Sequence, residues 1–375
     1  MRLQEFDYEL PPECIAQHPS PERDSARLLL LDRARAEWSD HRFRELPQLL
    51  RRGDLLVLND SRVLPARLFG WREGVHAQPL PGPRNPARHD YLRRRIEVLL
   101  TRALDTGVWQ ALVRPGRKLA TGERLWFGAP APLLRAEIAG RGALGERTLR
   151  FSHADGRPFL SQEEFLAALE QIGHVPLPPY IHRTRGEADR TEDRERYQTV
   201  FAREPGSAAA PTAGLHFSHD VLARLAEAGI ETAKITLEVG LGTFQPVRAE
   251  EVEDHPMHAE RYRIAPEAAA AVNQARQAGR RIIAVGTTSA RALEASARAH
   301  DGAVAAGAAE TDLFLYPGQQ FQVVQALLTN FHAPRSTLLM LVAAFAGLEF
   351  TLSAYRHAVA SGYRFLSYGD CMLIV

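Results

Sequence analysis

APEAAAAVNQARQAGRRIIAVGTTSARALEASARAH, residues 265–300, decides the fold class. Its middle, RIIAVG, is a short run of Ile, Ala and Val ending in glycine, which suits a buried strand. On either side lie runs rich in Ala, Leu, Arg, Gln and Glu, the residues that lose least on entering a helix. Helix, strand and helix in direct succession are what parallel βα units require. The alternation runs through the C-terminal part of the chain. SAAAPTAGLHF precedes HDVLARLAEAG, and ETAKITLEVG follows. TDLFLYPG, QALLTNFH, STLLMLVAAFAG, LSAYRHAVASG and RFLSYGDCMLIV complete the series. GDLLVLND, residues 53–60, reads as a further strand of this kind far upstream.

The chain has 375 residues, too many for one ordinary core, so about two domains are expected. Hydrophobic residues make up 45% and charged residues 24%, the balance of a soluble globular protein. The longest uninterrupted apolar run, about ten residues around Leu338–Gly347, is well short of the ~20 that span a bilayer. The opening MRLQEFDYEL has acids and no apolar stretch, so no signal peptide is read and a cytoplasmic location is expected. Cys14 and Cys371 stand at opposite ends without CxxC spacing, which argues against a disulfide framework and a zinc site. A net charge of +1 gives no global basic signature for nucleic acid. Lys118 and Lys234 are nonetheless the only lysines. This arginine preference has two readings: GC-biased coding, or guanidinium forks suited to phosphates and stacked bases.

Between GDLLVLND and the C-terminal series the texture changes. RRRIEVLLTRA, GVWQALVRPG, ERLWFG, LLRAEIAG and RTLRFS are short β-type runs separated by Gly, Pro and Asp turns. That spacing indicates an antiparallel sheet or small barrel inserted into the α/β domain. AQPLPGPRNPARHDYLRR reads as an exposed loop within it, and HVPLPPYIHR, residues 174–183, as an extended return linker. The expected division is 1–67 with 181–375 for the α/β domain and 68–180 for the insert.

The α/β strands are expected to end in polar or Gly-rich clusters: Asn59-Asp60-Ser61-Arg62, Thr212 to His216, Glu238-Val239-Gly240, Gly286-Thr287-Thr288-Ser289, Tyr316-Pro317-Gly318, Thr329 to His332, and Tyr368-Gly369-Asp370. In parallel α/β folds the carboxyl ends of strands build the ligand crevice. Each cluster alone also fits a bland role. NDSR makes a plain Asx turn, GTTS a helix cap or anion site, and His216 or His332 a hydrogen-bonded structural histidine. VGTTSARALE lacks P-loop spacing, GLGTF is not a dinucleotide fingerprint, and Ser218 forms no GxSxG elbow. HPMH, residues 255–258, offers two histidines without a third ligand, and RTRGEADRTEDRER, residues 183–196, reads as a solvated charged linker.

Taken together, FDYELPPECIAQHPSPERDSARLL, GDLLVLNDSRVLPARLFG, GHVPLPPYI, DRERYQTVFA, AAAPTAGLHF, ITLEVGLGTFQPVR, HPMHAERY, VGTTSARALE, LYPG, LLTNFHAPRSTLLMLVAAFAG and YRFLSYGDCMLI resemble the S-adenosylmethionine:tRNA ribosyltransferase-isomerases of queuosine biosynthesis. The phrases run in order from residue 6 to residue 374. Two departures stand out. The family commonly has His in TLHVGxGTF where this chain has Glu238, and its short turn before the IEVL strand is here the loop of residues 74–94.

The resemblance implies a barrel-like α/β domain with an inserted antiparallel β-barrel domain. It implies transfer and isomerisation of the ribosyl part of S-adenosylmethionine onto 7-aminomethyl-7-deazaguanine at the tRNA wobble position. Epoxyqueuosine forms, and adenine and methionine leave. No metal or redox cofactor is implied, S-adenosylmethionine being a co-substrate, and a monomer is expected. A base is needed to take an acidic C5′ hydrogen beside the sulfonium, with His216, at an expected strand end, as the preferred base, Asp60 and His332 as further catalytic candidates, and Glu238, Asp312 and Asp370 as others. Asn59, Arg62, Thr212, Glu238, Thr287, Thr288, Arg291, Asn330, Tyr368 and Asp370 are the candidate substrate contacts. Phe217, Phe244 and Tyr316 offer faces to the sulfonium, and Arg23, Arg27, Arg62, Arg67, Arg291 and Arg335 suit RNA phosphates. Two other classes stay open: an α/β enzyme acting on a phosphorylated sugar or nucleotide, and a non-catalytic RNA-binding protein.

Overall fold

The computed structural model describes residues 1–74, 92, 94–116, 119–142, 145–183, 191–240 and 247–375. They divide into two compact units. One takes the described residues of Met1–Arg62, Pro178–Arg183 and Arg194–Val375, the other those of Val63–Leu177 and Thr184–Asp193.

The first unit is built on a nine-stranded sheet. From edge to edge its strands are Gly307–Thr311, Glu260–Ile264, Glu231–Leu237, Leu55–Asn59, Ile282–Val285, Ala326–Asn330, Cys371–Ile374, Arg27–Asp32 and Glu37–Arg42. The four from Glu231–Leu237 to Ala326–Asn330 run parallel. Three of these, LLVLN, IIAV and ALLTN, are buried at every residue, as strands covered on both faces are. Alternate side chains feed two cores. Leu55, Val57, Ile282, Ala284 and Leu327 pack with residues of the helices Pro266–Gln277, Thr287–Ala299, Thr337–Ala346 and Leu348–Ala360. Leu56, Leu58, Ile283, Val285 and Leu328 pack on the other face with Leu46, Val221 and Leu225.

The flanks depart from the all-parallel expectation. Cys371–Ile374 returns antiparallel to Ala326–Asn330, and Glu260–Ile264 antiparallel to Glu231–Leu237. The sheet runs between two edge strands, and the closed barrel lies in the other unit. That barrel has six antiparallel strands, Arg67–Arg72, Ile96–Asp105, Val108–Arg114, Arg124–Phe127, Leu134–Arg141 and Glu146–His153. Their alternating burial fills the interior with Leu68, Val98, Trp109, Phe127 and Phe151. Phe165 of the helix Gln162–Ile172, whose first turn is capped by Ser161, packs into the same core.

The charged linker falls differently from its reading as a solvated segment. Thr191–Arg196 of the charged linker forms a helix with Asp193 buried, while residues 184–190 lie outside the described residues. Most of the Pro- and Arg-rich loop, residues 75–91, also lies outside them. No single described helix is long and apolar enough to cross a membrane.

Candidate active site

The carboxyl ends of the parallel strands deliver Asn59, Glu238, Gly286 and Asn330 to one rim. Three expected strand ends are built otherwise. Pro211 and Gly214 break the extended chain, and Thr212–His216 is a 3-10 helix. Tyr316, Pro317 and Gly318 follow the edge strand Gly307–Thr311 in irregular backbone. Tyr368-Gly369-Asp370 precedes its strand; the antiparallel register Asn330–Cys371 still brings it to the same rim.

A cavity of about 400 Å³ opens there, of the size that holds small ligands. Its polar lining is Thr212, Thr287, Thr288, Thr329, Asn330, His332, Ser336, Tyr180 and Ser367, and Leu338, Val239 and other apolar residues complete it. Sequence reasoning singles out Thr212, Thr287, Thr288, Asn330 and His332, and misses Tyr180 in the return linker, whose hydroxyl bonds Ser367 Oγ at 2.6 Å. Leu366 and Arg335, two of the four described non-glycine residues with positive φ, also line it. Such backbone costs about 1–3 kcal/mol and concentrates at functional sites.

His332 is held from three sides. Its backbone N–H donates to the Tyr355 hydroxyl at 3.2 Å, the Tyr8 hydroxyl donates to its carbonyl at 2.5 Å, and ring Nε2 lies 2.9 Å from Thr329 Oγ1. This is how an imidazole is satisfied between two apolar runs. Ring Nδ1 makes no hydrogen bond among the described residues. Burial pulls this imidazole down to about 3, so it is neutral at pH 7.

Behind the wall, Asn330 Nδ2 donates to the Leu366 carbonyl at 3.1 Å and reaches His216 Nε2 at 3.3 Å. The His216 lone pair there is therefore occupied, and its ring packs on Phe43 with centroids 5.3 Å apart. Burial first, then the Arg364 charge, lowers His216 to about 3. His216 does not line the cavity; it lies in a small cleft with Arg23, Arg196 and Tyr368.

The remaining candidates are fastened elsewhere. Asn59 clamps the rim: Nδ2 donates to the Leu237 carbonyl and Thr288 Oγ1, and Oδ1 accepts from the amides of Ser61 and Leu237. Asn59→Ala orphans several of these groups and is expected to cost about 1–3 kcal/mol; an unmoved thermal midpoint contradicts the clamp. Asp60 accepts from Thr236 Oγ1 at 2.7 Å and pairs with Arg203. Asp370 holds the amides of Arg27 and Arg364, joining the first and last strands of the chain, and burial raises its carboxyl. Arg291 pairs with buried Glu260 and bonds the Leu313 carbonyl. Glu238 lines a separate open groove with Arg261 and Arg263. Arg62 is half-buried on a short strand, Asp312 is exposed, Phe217 lies in the core, and Phe244 is outside the described residues. Of the other candidate phosphate contacts, Arg27, Arg67 and Arg335 carry carboxylate partners in Asp40, Glu97 and Asp7. Among the described residues, no group of three His, Cys, Asp or Glu could hold a metal ion.

A family model described as queuosine biosynthesis protein matches residues 3–374. The S-adenosylmethionine:tRNA ribosyltransferase-isomerase of Solibacter usitatus is 54% identical over 377 residues, with 100% of each chain covered. Its namesake from Moorella thermoacetica is 49% identical over 375 residues, again with 100% of each covered. Among solved structures, S-adenosylmethionine tRNA ribosyltransferase from Thermotoga maritima is 36% identical, with a TM-score of 0.52, 99% of this chain and 100% of that one being covered.

Proposed function

The chain belongs to the queuosine biosynthesis protein family, and on that premise we propose that it is a transferase moving the ribosyl part of S-adenosylmethionine onto 7-aminomethyl-7-deazaguanine in tRNA. The transferred unit becomes an epoxycyclopentanediol, giving epoxyqueuosine at the wobble position, and adenine and methionine are released. The observation that carries the site assignment is the rim cavity itself. A neutral imidazole with one unengaged nitrogen, His332 Nδ1, stands in its wall.

The chemistry suits that wall. A sulfonium is better tolerated beside neutral imidazoles than beside imidazolium, and Arg335, a cation on this wall, is paired with Asp7. Gly286 precedes the helix Thr287–Ala299 without a side-chain cap, so the first-turn amides and the Thr287 and Thr288 hydroxyls suit the methionine carboxylate. Loss of the C5′ proton to His332 Nδ1 gives the sulfonium ylide, with Nε2–H donating to Thr329. Departing adenine needs a donor at its ring, for which Thr212 and Thr329 offer hydroxyls, whereas Ser336 spends its proton on the Ala333 carbonyl. His216 is proposed to orient Asn330, Asp60 and Asn59 to fix the rim, and no separate cofactor or metal is proposed. A cytoplasmic monomer acting on tRNA is proposed with this reading.

Incubation with adenine-labelled S-adenosylmethionine and tRNA carrying the 7-aminomethyl-7-deazaguanine base tests the reading. Adenine release that depends on that base is expected. Release with a small phosphorylated sugar or nucleotide in place of tRNA, or tRNA retention without turnover, supports the two other classes.

Glu238, at one of the two departures from the family resemblance, lies outside this cavity. Glu238→Gln is therefore expected to keep turnover within about tenfold of the parent, far less than the loss from removing a general base. Glu238→His is expected to leave the acid limb of the pH–rate profile in place. Abolished turnover in a folded Glu238→Gln protein transfers the base role to this position.

A further inference from the structure

We infer that Arg23, Arg196 and Arg364 form a phosphate cradle beside His216 that holds the tRNA backbone next to the reacting nucleotide. This rests on the tRNA reading above. Among the described residues these three guanidiniums have no carboxylate within ion-pair distance. They hang instead on uncharged oxygens. Arg23 donates to the carbonyls of Leu215 and Glu195, and Arg196 to those of Pro21 and Ser20. Arg364 donates to the carbonyls of His18 and Tyr368 and reaches Ser20 Oγ at 3.5 Å. The nearest acid to Arg364, Asp370, spends both oxygens on backbone amides.

Two cations, Arg23 and Arg196, thus line one small cleft with His216, Ser367 and Tyr368, and Arg364 joins it through Ser20 Oγ and the Tyr368 carbonyl. Glu195 and Asp370 act on Arg23 and Arg364 only from beyond ion-pair distance. Burial and then the neighbouring Arg196 charge pull the Arg23 guanidinium below its ordinary range, and the Arg364 and Arg23 charges both act on His216. Other arginines of the same unit, such as Arg27, Arg281, Arg291 and Arg335, have carboxylate partners. Position selects the ligand. His216 contacts Asn330, and Asn330 lines the cavity, so an anion in this cleft lies one side chain from the reacting ribosyl unit. An RNA phosphate flanking the target base fits, and guanidinium forks bind phosphate bidentately.

The test uses the full chain, base-modified tRNA and S-adenosylmethionine, with Arg196→Gln, Arg23→Gln and the charge-retaining Arg196→Lys. Each Gln variant is expected to raise the KM for tRNA about tenfold or more, as removing a charge-assisted hydrogen bond does. The slope of log affinity against log salt should become shallower by about 0.7–0.9 for each phosphate that a variant leaves unneutralised. Turnover at saturating tRNA and the KM for S-adenosylmethionine should change little, and Arg196→Lys should keep the parent slope. Equal impairment of Lys and Gln variants with an unchanged slope and a lowered thermal midpoint overturns the cradle in favour of a purely structural brace. A raised KM for S-adenosylmethionine with parental tRNA affinity overturns it in favour of the co-substrate carboxylate. Absence of tRNA-dependent turnover in the parent protein refutes the functional reading itself, a different result from either.

Discussion

His332→Ala is expected to lower tRNA-dependent adenine release about 100- to 10,000-fold, the range of a positioned general base. The fold should survive. Tyr355 and Tyr8 anchor the backbone of residue 332 and not its ring, so the substitution removes one ring hydrogen bond, to Thr329. That loss is worth about 1–3 kcal/mol. Asn330→Ala is expected to lower release as well, but with a larger stability cost, because the Leu366 carbonyl and His216 Nε2 both lose their donor. Single-turnover release measured beside thermal melts separates the two effects. A His332→Ala protein that loses activity only in proportion to its unfolded fraction makes this histidine a structural corner. A folded His332→Ala protein at parental rate excludes it as the base.

Lowering the pH from 6.5 to 5 is expected to remove about 3 kcal/mol of stability through His216 and His332 alone. Both imidazoles are neutral in the folded chain down to about 3, whereas in the unfolded chain they titrate near the ordinary 6.5. Above that value both states are neutral and the contribution is complete. Below it the unfolded state takes up protons that the folded state refuses, and stability falls until the folded values are reached. Asp370 acts with the opposite sign, since its raised carboxyl binds protons more tightly in the folded state. Denaturant titrations across this window, with His216→Gln/His332→Gln as the control, check the slope. Equal slopes in the parent and the double variant contradict the neutral, buried imidazoles.

The strands of the large sheet are legible in the sequence because burial on both faces leaves continuous apolar runs, as in LLVLN and ALLTN. The inserted barrel is legible for the opposite reason, since one-sided burial leaves alternation, as in RLWF. Reversed direction is not legible. Nothing in RFLSYGDCMLIV shows that its strand returns antiparallel, so the sequence alone sets Asp370 after a strand, whereas it stands before one. At the site, Thr287, Thr288, Asn330 and His332 stand out because polar groups between apolar runs need partners. Arg291 shares their stretch of sequence, but its partner is Glu260, distant along the chain and visible only once the helix is docked. Tyr180 hides in a Pro-rich linker, and Arg196 and Arg364 among many arginines, because their shared position beside His216 is a property of the fold.

A crystal structure of the chain with S-adenosylmethionine tests the central claim most directly. The claim predicts the co-substrate in the cavity at the rim of the large sheet, its carboxylate at the amides of Thr287 and Thr288 and its C5′ carbon within reach of His332 Nδ1. Co-substrate density in the open groove of Glu238, Arg261 and Arg263, with the rim cavity left to solvent, contradicts it.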